Sequence, residues 1–286
     1  MTVENLTTYT ETDPSNRFSV FSTRATFTNW MADDGATYLY LDKGLAYYNG
    51  NFSFDFTFTL TTSTVDLHQC IIWGVSEGIG NRATWYSTGY KSLCMRAYGD
   101  GVGNEKVQLV QNIGVGSDTY SAAITIALNT IYYVTVFKDE SVGTYGTLYL
   151  YLYSDSARTV LVGNVSLTLL TSLGDYQYLY ALNTWPQGNY IQNGYIENLE
   201  DTATPSPAVT QTAVTAISGT TATGNGSITN LGVPFSTQHG HCWNTAGTPT
   251  TADSKTTNGT PSTGGFTSAI TGLSAGTKYY VRAYIT

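Results

Sequence analysis

Charge is what this 286-residue chain has least of: Asp, Glu, Lys and Arg make up 11% of it, against roughly 25% in an ordinary globular protein. The 12 basic residues form no cluster and the net charge is −8, so the counterion release that drives binding to a phosphate backbone has little to act through. Nucleic acid is not an expected partner. No apolar run approaches the roughly 18 residues of a membrane helix, and no membrane span is expected. The start, MTVENLTTYTETDPSN, lacks the basic and apolar regions of a secretory leader. Either a leader has been removed, or the protein leaves its cell by another route such as lysis.

Cysteine is nearly absent too. Cys70, Cys94 and Cys242 are an odd set, so a disulfide framework is not expected. At most Cys70 pairs with Cys94, and the expected role of all three is that of small buried hydrophobes.

Catalytic patterns are also missing. The chain has no Gly-x-Ser-x-Gly elbow and no phosphate loop. Glycan cleavage on a strand needs two carboxylates on one face, two or four residues apart. No stretch offers the full set at i, i+2 and i+4: Glu11 and Asp13 are two apart but lie in a polar segment ahead of the fold, and Glu197 and Asp201 are four apart but sit with Glu200 at the domain exit without a third acid between them at i+2. No catalytic residue is therefore assigned and a non-enzymatic role is expected. His239 and His241 share a strand face with Cys242 opposite, but a zinc site needs three or four protein ligands. They are expected as two half-exposed histidines beside a core strand, and no metal is assigned.

What is abundant is Thr, Ser, Gly, Asn and Tyr, the last occurring 23 times, arranged with a period of two. In LYLYLY (148–153) every Leu falls on one face and every Tyr on the other. In NFSFDFTFTL, Phe52, Phe54, Phe56 and Phe58 share one parity with only Ser, Asp and Thr between them, the strongest strand signal in the chain. QCIIWGV (69–75) has a continuous apolar run and reads as a strand covered on both faces. Further strands are expected at 17–29, 37–41, 46–48, 93–98, 106–111, 122–128, 131–137 and 176–185, separated by turn signals such as Asp34-Gly35 and GDGVGN. Residues 77–90, SEGIGNRATWYSTGY with its neighbours, read as a loop, and no segment shows a convincing helical period with caps.

These elements predict an all-β chain: a large β-sandwich at 17–201 preceded by an arm or edge strand at 1–16, then a linker at 202–208, TATPSP and its neighbours. A second, small β-sandwich at 209–286 follows, with strands in VTQTAVTAI, TATGNGSI, FSTQHGHCW, GFTSAI and TKYYVRAYI.

The order of DKGLAYYNGNFSFDFTFTL, YYVTVFKDE, LYLYLYSDSARTVLVGNVSLTL, YLYALNTW and GYIENLED resembles concanavalin A-like jelly rolls of the laminin-G and lectin type, most of all those in phage and metagenomic structural proteins. VTAISGTTATGNGSITNLG, HCW and ITGLSAGTKYYVRAYIT are similar to a fibronectin type III or immunoglobulin-like domain of Bacteroidetes and phage surface proteins. That family normally adds one more strand after GLSAGTKYYVRAY, so the small domain looks one strand short. The laminin-G likeness implies Ca2+ as the one conceivable ion, with oxygens from Asp33, Asp34 and Asp42 or from Asp100 and Asn104. Those ligands form no specific pattern, so they are read as turn residues and no cofactor is expected.

Glycan recognition stacks a sugar on an aromatic face with amides nearby, and two loops offer that set: Trp85, Tyr86 and Tyr90 with Asn81 and Arg82, and Trp185 and Tyr190 with Asn183, Gln187 and Asn189. The competing reading is that these aromatics plug the ends of the sandwich. Together with the sparse charge, the pattern predicts a virion-surface or extracellular structural and adhesion protein, of the capsid-decoration, head-fibre or tail-fibre kind. Its expected partners are other copies of itself, other virion or assembly proteins, and cell-surface glycans. Two alternatives stand beside it: a secreted lectin or glycanase accessory module, and a filament subunit in which the arm TVENLTTYT (2–10) of a neighbour pairs with the edge at 277–285.

Overall fold

The computed structural model describes residues 2–31, 37–45, 47–48, 50–63, 69–171, 175–184, 191–202, 207–231 and 236–286. The chain divides into two compact units, Met1–Ala203 and Thr204–Thr286.

The first unit opens with β1 (Thr2–Val3), a single 3-10 turn (Leu6–Thr8), β2 (Thr10–Thr12), β3 (Phe18–Val20), β4 (Arg24–Met31), β5 (Tyr38–Asp42), β6 (Phe52–Ser63) and β7 (Gln69–Ser76). Helix α1 (Arg82–Thr88) follows, then β8 (Ser92–Gly99), β9 (Glu105–Gly114), β10 (Ser117–Ile126), β11 (Tyr132–Asp139), β12 (Thr147–Tyr153), β13 (Leu161–Thr168), β14 (Tyr178–Thr184) and β15 (Ile191–Thr202). They build two antiparallel sheets. One runs β13-β12-β11-β6-β15-β4-β3, with β1 added on β15; the other runs β10-β9-β8-β7-β14-β5-β2.

This is a jelly-roll β-sandwich, and the period-two pattern explains its core. Phe54, Phe56 and Phe58 of β6 and Leu148, Leu150 and Leu152 of β12 are wholly buried between the sheets. There they meet Trp73, Leu93, Met95, Val107, Leu109 and Leu179 of the facing sheet. Each such side chain contributes about 1.5–3 kcal/mol relative to an exposed one. Two register shifts modify the alternation. The shift between Ile71 and Trp73 sends both Ile72 and Trp73 into the core while Ile71 faces outward. The shift between Tyr180 and Leu182 does the same for Ala181 and Leu182.

Of the two readings of 1–16, the edge strand is the one the structure has, with β2 at the end of its sheet, and two other expectations are corrected. The segment at 1–16 is folded into its own unit: Thr2 and Val3 pair with Asp201 and Glu200, β2 closes the second sheet against β5, and Leu6 and Tyr9 are buried in the core. The apolar pair within the polar stretch supplies the reason, and Lys43 Nζ, 2.9 Å from Glu4 Oε1 and 3.7 Å from Asp201 Oδ2, pins it. The segment at 77–90 contains a helix. Tyr47 and Tyr48 form a turn, not a strand. Asp34-Gly35 lies outside the described residues.

The second unit contains β16 (Ala208–Thr215), β17 (Ala222–Asn230), β18 (His239–Asn244), β19 (Ser254–Lys255), β20 (Gly264–Ile270) and β21 (Tyr280–Ile285). These make two three-stranded sheets, β16-β17-β20 and β19-β18-β21, in a small β-sandwich. His239 and His241 are buried, not half-exposed. His239 Nδ1 lies 2.9 Å from the Gly259 carbonyl and His241 Nδ1 2.8 Å from Ser268 Oγ. Gly224 leaves room beneath the His241 ring, since a Cβ there would stand 2.7 Å from it. All three cysteines are free and buried.

Candidate functional site

The outer face of the seven-stranded sheet carries the chemistry. Strand pairings align one row across it as Tyr40, Tyr180, Gly74, Cys94, Val110 and Tyr120. The next row is Tyr38, Asn183, Ile71, Arg96 and Gln108. A helix sits over the middle of this face and divides it.

That helix is short but fully capped. The Asn81 side chain accepts from Thr84 N at 2.8 Å, and Gly89 ends the helix at φ +78°, a conformation that favours glycine. Trp85 points down onto the sheet and is wholly buried, edge-on to Tyr180. Gly74 makes the seat, because a Cβ there would lie 3.4 Å from the indole and 3.1 Å from Cys94 Cβ. Arg82 forms an ion pair with Asp118 on β10, both side chains almost wholly buried. The loop before the helix is tied down as well: Gly80 N donates to Tyr180 Oη at 3.1 Å and Asn183 Nδ2 donates to the Gly80 carbonyl at 3.2 Å. Gly78 lies flat against the ring of Tyr90, with no space for a Cβ between them.

On one side of the helix is a bank of tyrosines from β5 and β14. The Tyr40 ring is 5.6 Å from Tyr180 and nearly parallel to it, 5.8 Å from Tyr178 and perpendicular, and 5.9 Å from Tyr38. Tyr38, Tyr40 and Tyr178 are half-buried, and together with Tyr90 they pack against the small cluster of Ile71, Trp85, Cys94, Val110 and Tyr180. Burial, with Asp42 nearby, raises the Tyr178 pKa, and burial raises that of Tyr180 strongly.

On the other side is an arginine clamp. The Arg96 guanidinium lies 4.5 Å from the Tyr98 ring centre and 4.6 Å from that of Tyr120, a cation–π arrangement. The Gln108 amide, oriented by its neighbours, accepts from Arg96 Nη2 at 3.0 Å and donates to Tyr98 Oη at 3.0 Å. Tyr120 donates to Asp118 Oδ2 at 3.1 Å. Burial lowers the Arg96 pKa and raises that of Tyr120. The nearest strands of the bank and the clamp, β14 and β8, are two strand spacings apart, about 10 Å.

The structure separates the residues expected to form glycan loops. Trp85 and Asn183 are corrected: both are wholly buried, Trp85 because it is the apolar anchor of α1 and Asn183 because it holds the preceding loop. Neither offers a surface to a ligand. Tyr86 and Tyr90 are half-buried, Tyr86 with its ring centre 5.9 Å from the Arg82 guanidinium and Tyr90 beside the tyrosine bank. Trp185 and Tyr190, with Gln187 and Asn189, lie outside the described residues. Tyr38, Tyr40, Tyr178, Arg96 and Tyr120 were not singled out by sequence. Parity puts Tyr38 with Tyr40 and Tyr178 with Tyr180, but nothing local says that β5 and β14 are neighbours.

The acids considered for catalysis or Ca2+ are engaged in local structure. Asp100 accepts from Val102 N, Asn104 N and Asn104 Nδ2, and these bonds with Lys106 hold its carboxyl well below the usual range. Asp42 accepts from Gly44 N and Gln177 Nε2, Asp13 from Phe18 N, and Glu197 from Arg24. Burial, then Asp13 beside it, raises the Glu11 pKa. Asp33 and Asp34 lie outside the described residues. Among the described residues no group of three or more His, Cys, Asp or Glu side chains is placed to hold a metal.

No protein-family model matches this chain. No curated protein matches it in sequence. Among solved structures it is similar to a functionally unknown protein from Saccharomyces cerevisiae, at 14% identity and a TM-score of 0.45, over 70% of this chain and 98% of that one. It is also similar to a legume lectin-like domain from Entamoeba histolytica, at 12% identity and 0.42, over 68% and 90%. An endo-beta-1,4-glucuronan lyase from Trichoderma reesei follows at 14% identity and 0.39, over 69% and 88%. Likenesses of this size bear on no functional argument.

Proposed function

We infer that the first unit is a carbohydrate-binding module that acts by contact rather than by catalysis. The observation that carries this is the tyrosine bank: half-buried rings of Tyr38, Tyr40 and Tyr178, drawn from two adjacent strands and fixed by mutual packing, with Tyr90 beside them. Aromatic faces held on a rigid sheet bind sugar rings at low entropic cost. Arg96 between Tyr98 and Tyr120 places a positive charge farther along the same face. The case for binding without cleavage rests on two features. A tyrosine serving as base must ionise, whereas burial raises the pKa of Tyr120, Tyr178 and Tyr180. Asp118, the carboxylate bonded to Tyr120 of the clamp, is paired with Arg82.

The protein is placed by this reading on a virion surface or in an extracellular assembly, where a sparsely charged sandwich pair displays the sugar-binding sheet. The test is a binding titration against neutral and uronate-containing oligosaccharides with Tyr40→Ala and Tyr178→Ala alongside. Loss of binding in the variants with unchanged stability supports the reading; cleavage of any oligosaccharide overturns its non-catalytic part.

A further inference from the structure

The strand ladder fixes what borders the tyrosine bank. Asp42 stands directly opposite Tyr178, Tyr40 opposite both Tyr180 and Thr10, and Tyr38 opposite both Asn183 and Thr12, and directly opposed residues share a face of the sheet. Leu39 and Leu41, the alternate residues of β5, go to the core. The rings are therefore rimmed by oxygen: the side chains of Thr10 and Thr12 along β2, and the carboxylate of Asp42 at the end of the bank where Tyr178 lies.

That carboxylate is held in place and its charge is not compensated. Asp42 Oδ1 accepts from Gly44 N at 2.9 Å and from Gln177 Nε2 at 2.8 Å, while the residue as a whole is exposed. Among the described residues no lysine or arginine pairs with it. Its neighbour in sequence, Lys43, is turned to Glu4 and Asp201. Arg96 lies beyond α1, held between Tyr98 and Tyr120 with Gln108 accepting from it. Asp42 acts on the ring beside it: after burial, its charge is the next cause of the raised Tyr178 pKa.

We propose that the bank takes uncharged sugar chains and that Asp42 determines this choice, accepting hydrogen bonds from the hydroxyls of a sugar stacked on Tyr178 and turning away a sugar that carries its own carboxylate. The proposal rests on the sugar-binding reading and names its ligand class. Hydrogen bonds to an ionised acceptor are about twice as strong as neutral ones, so a fixed carboxylate beside an aromatic face favours a ligand rich in hydroxyls. A uronate at the same place sets two like charges a few ångströms apart with no cation between them, and the repulsion opposes binding. The net charge of −8 acts in the same direction.

The test titrates the full chain with cellohexaose, mannohexaose and maltohexaose, each beside the same chain oxidised to the uronate at its primary hydroxyls, in dilute buffer and at high salt. In at least one pair the neutral member is expected to bind about tenfold or more tighter than its uronate in dilute buffer, and salt is expected to narrow the gap by screening. Asp42→Asn keeps an acceptor for Gly44 N and Gln177. It is expected to weaken the neutral ligand about fivefold and to bring the two members within about twofold of each other, with the unfolding midpoint read alongside. Uronate binding as tight as the neutral or tighter, lost in Tyr178→Ala, leaves the sugar-binding reading standing and overturns the role of Asp42. A gap that Asp42→Asn leaves unchanged overturns it too. Binding of none of the six by the unaltered chain overturns the sugar-binding reading itself, and this proposal with it.

Discussion

Trp85 stands edge-on to Tyr180, with ring centroids 4.7 Å apart and planes at 83°. The helix therefore caps the sheet through its tryptophan, and the tyrosines beside it are held in place from above as well as from below. Replacing Trp85 with Ala removes a wholly buried indole over a glycine floor that cannot rise to fill the space. The expected loss is about 3–5 kcal/mol, measured by chemical denaturation. Gly74→Ala meets Cys94 Cβ at 3.1 Å and the Leu93 carbonyl at 3.2 Å, and is expected to cost about 1–3 kcal/mol by lifting the helix.

Arg82 and Asp118 tie the same helix to β10 in a pair with little access to water. Asp118→Ala leaves a buried guanidinium without its carboxylate and is expected to cost about 3–5 kcal/mol, whereas Arg82→Met with Asp118→Leu is expected to be close to neutral. A double-mutant cycle in urea distinguishes the two.

Burial pushes the Cys94 thiol up to about 11 and raises those of Cys70 and Cys242. A thiol-specific reagent at pH 8 is therefore expected to label none of the three in the native protein and all of them in denaturant. Rapid labelling under native conditions would contradict the burial of these residues.

His241 gives the second unit a pH dependence. Burial, the leading cause, and the charge of His239 lower its pKa from the ordinary 6.5, so the native ring stays neutral where the unfolded one takes a proton. Its contribution is fully present above 6.5 and is lost as pH falls through that value toward the folded one. Denaturation of the second unit followed across this window is expected to show a decline that His241→Phe flattens.

The sandwich was legible because its strands carry their own parity. Phe52 to Phe58 and Leu148 to Leu152 mark the core face without help from any other segment. The site was not legible, for three physical reasons. Helix α1 spans only 7 residues, too few for a helical period to show, although Asn81 and Gly89 were there as caps. The two register shifts break parity where the apolar run in β7 and the tyrosine run in β14 begin to matter. The tyrosine bank depends on β5 lying beside β14, a pairing between residues more than a hundred positions apart in the chain. Trp85, by local composition a sugar platform, is buried because its indole is the apolar side chain that α1 lays over Gly74.

The most direct test of the central claim is calorimetric titration of the full chain with neutral and uronate hexasaccharides, repeated with Tyr40→Ala/Tyr178→Ala. The account predicts that at least one oligosaccharide binds, and that each lost ring weakens binding by about 0.5–1.5 kcal/mol, roughly two- to tenfold, with folding intact. Absence of binding across both classes, or binding that the double variant leaves unchanged, would contradict it.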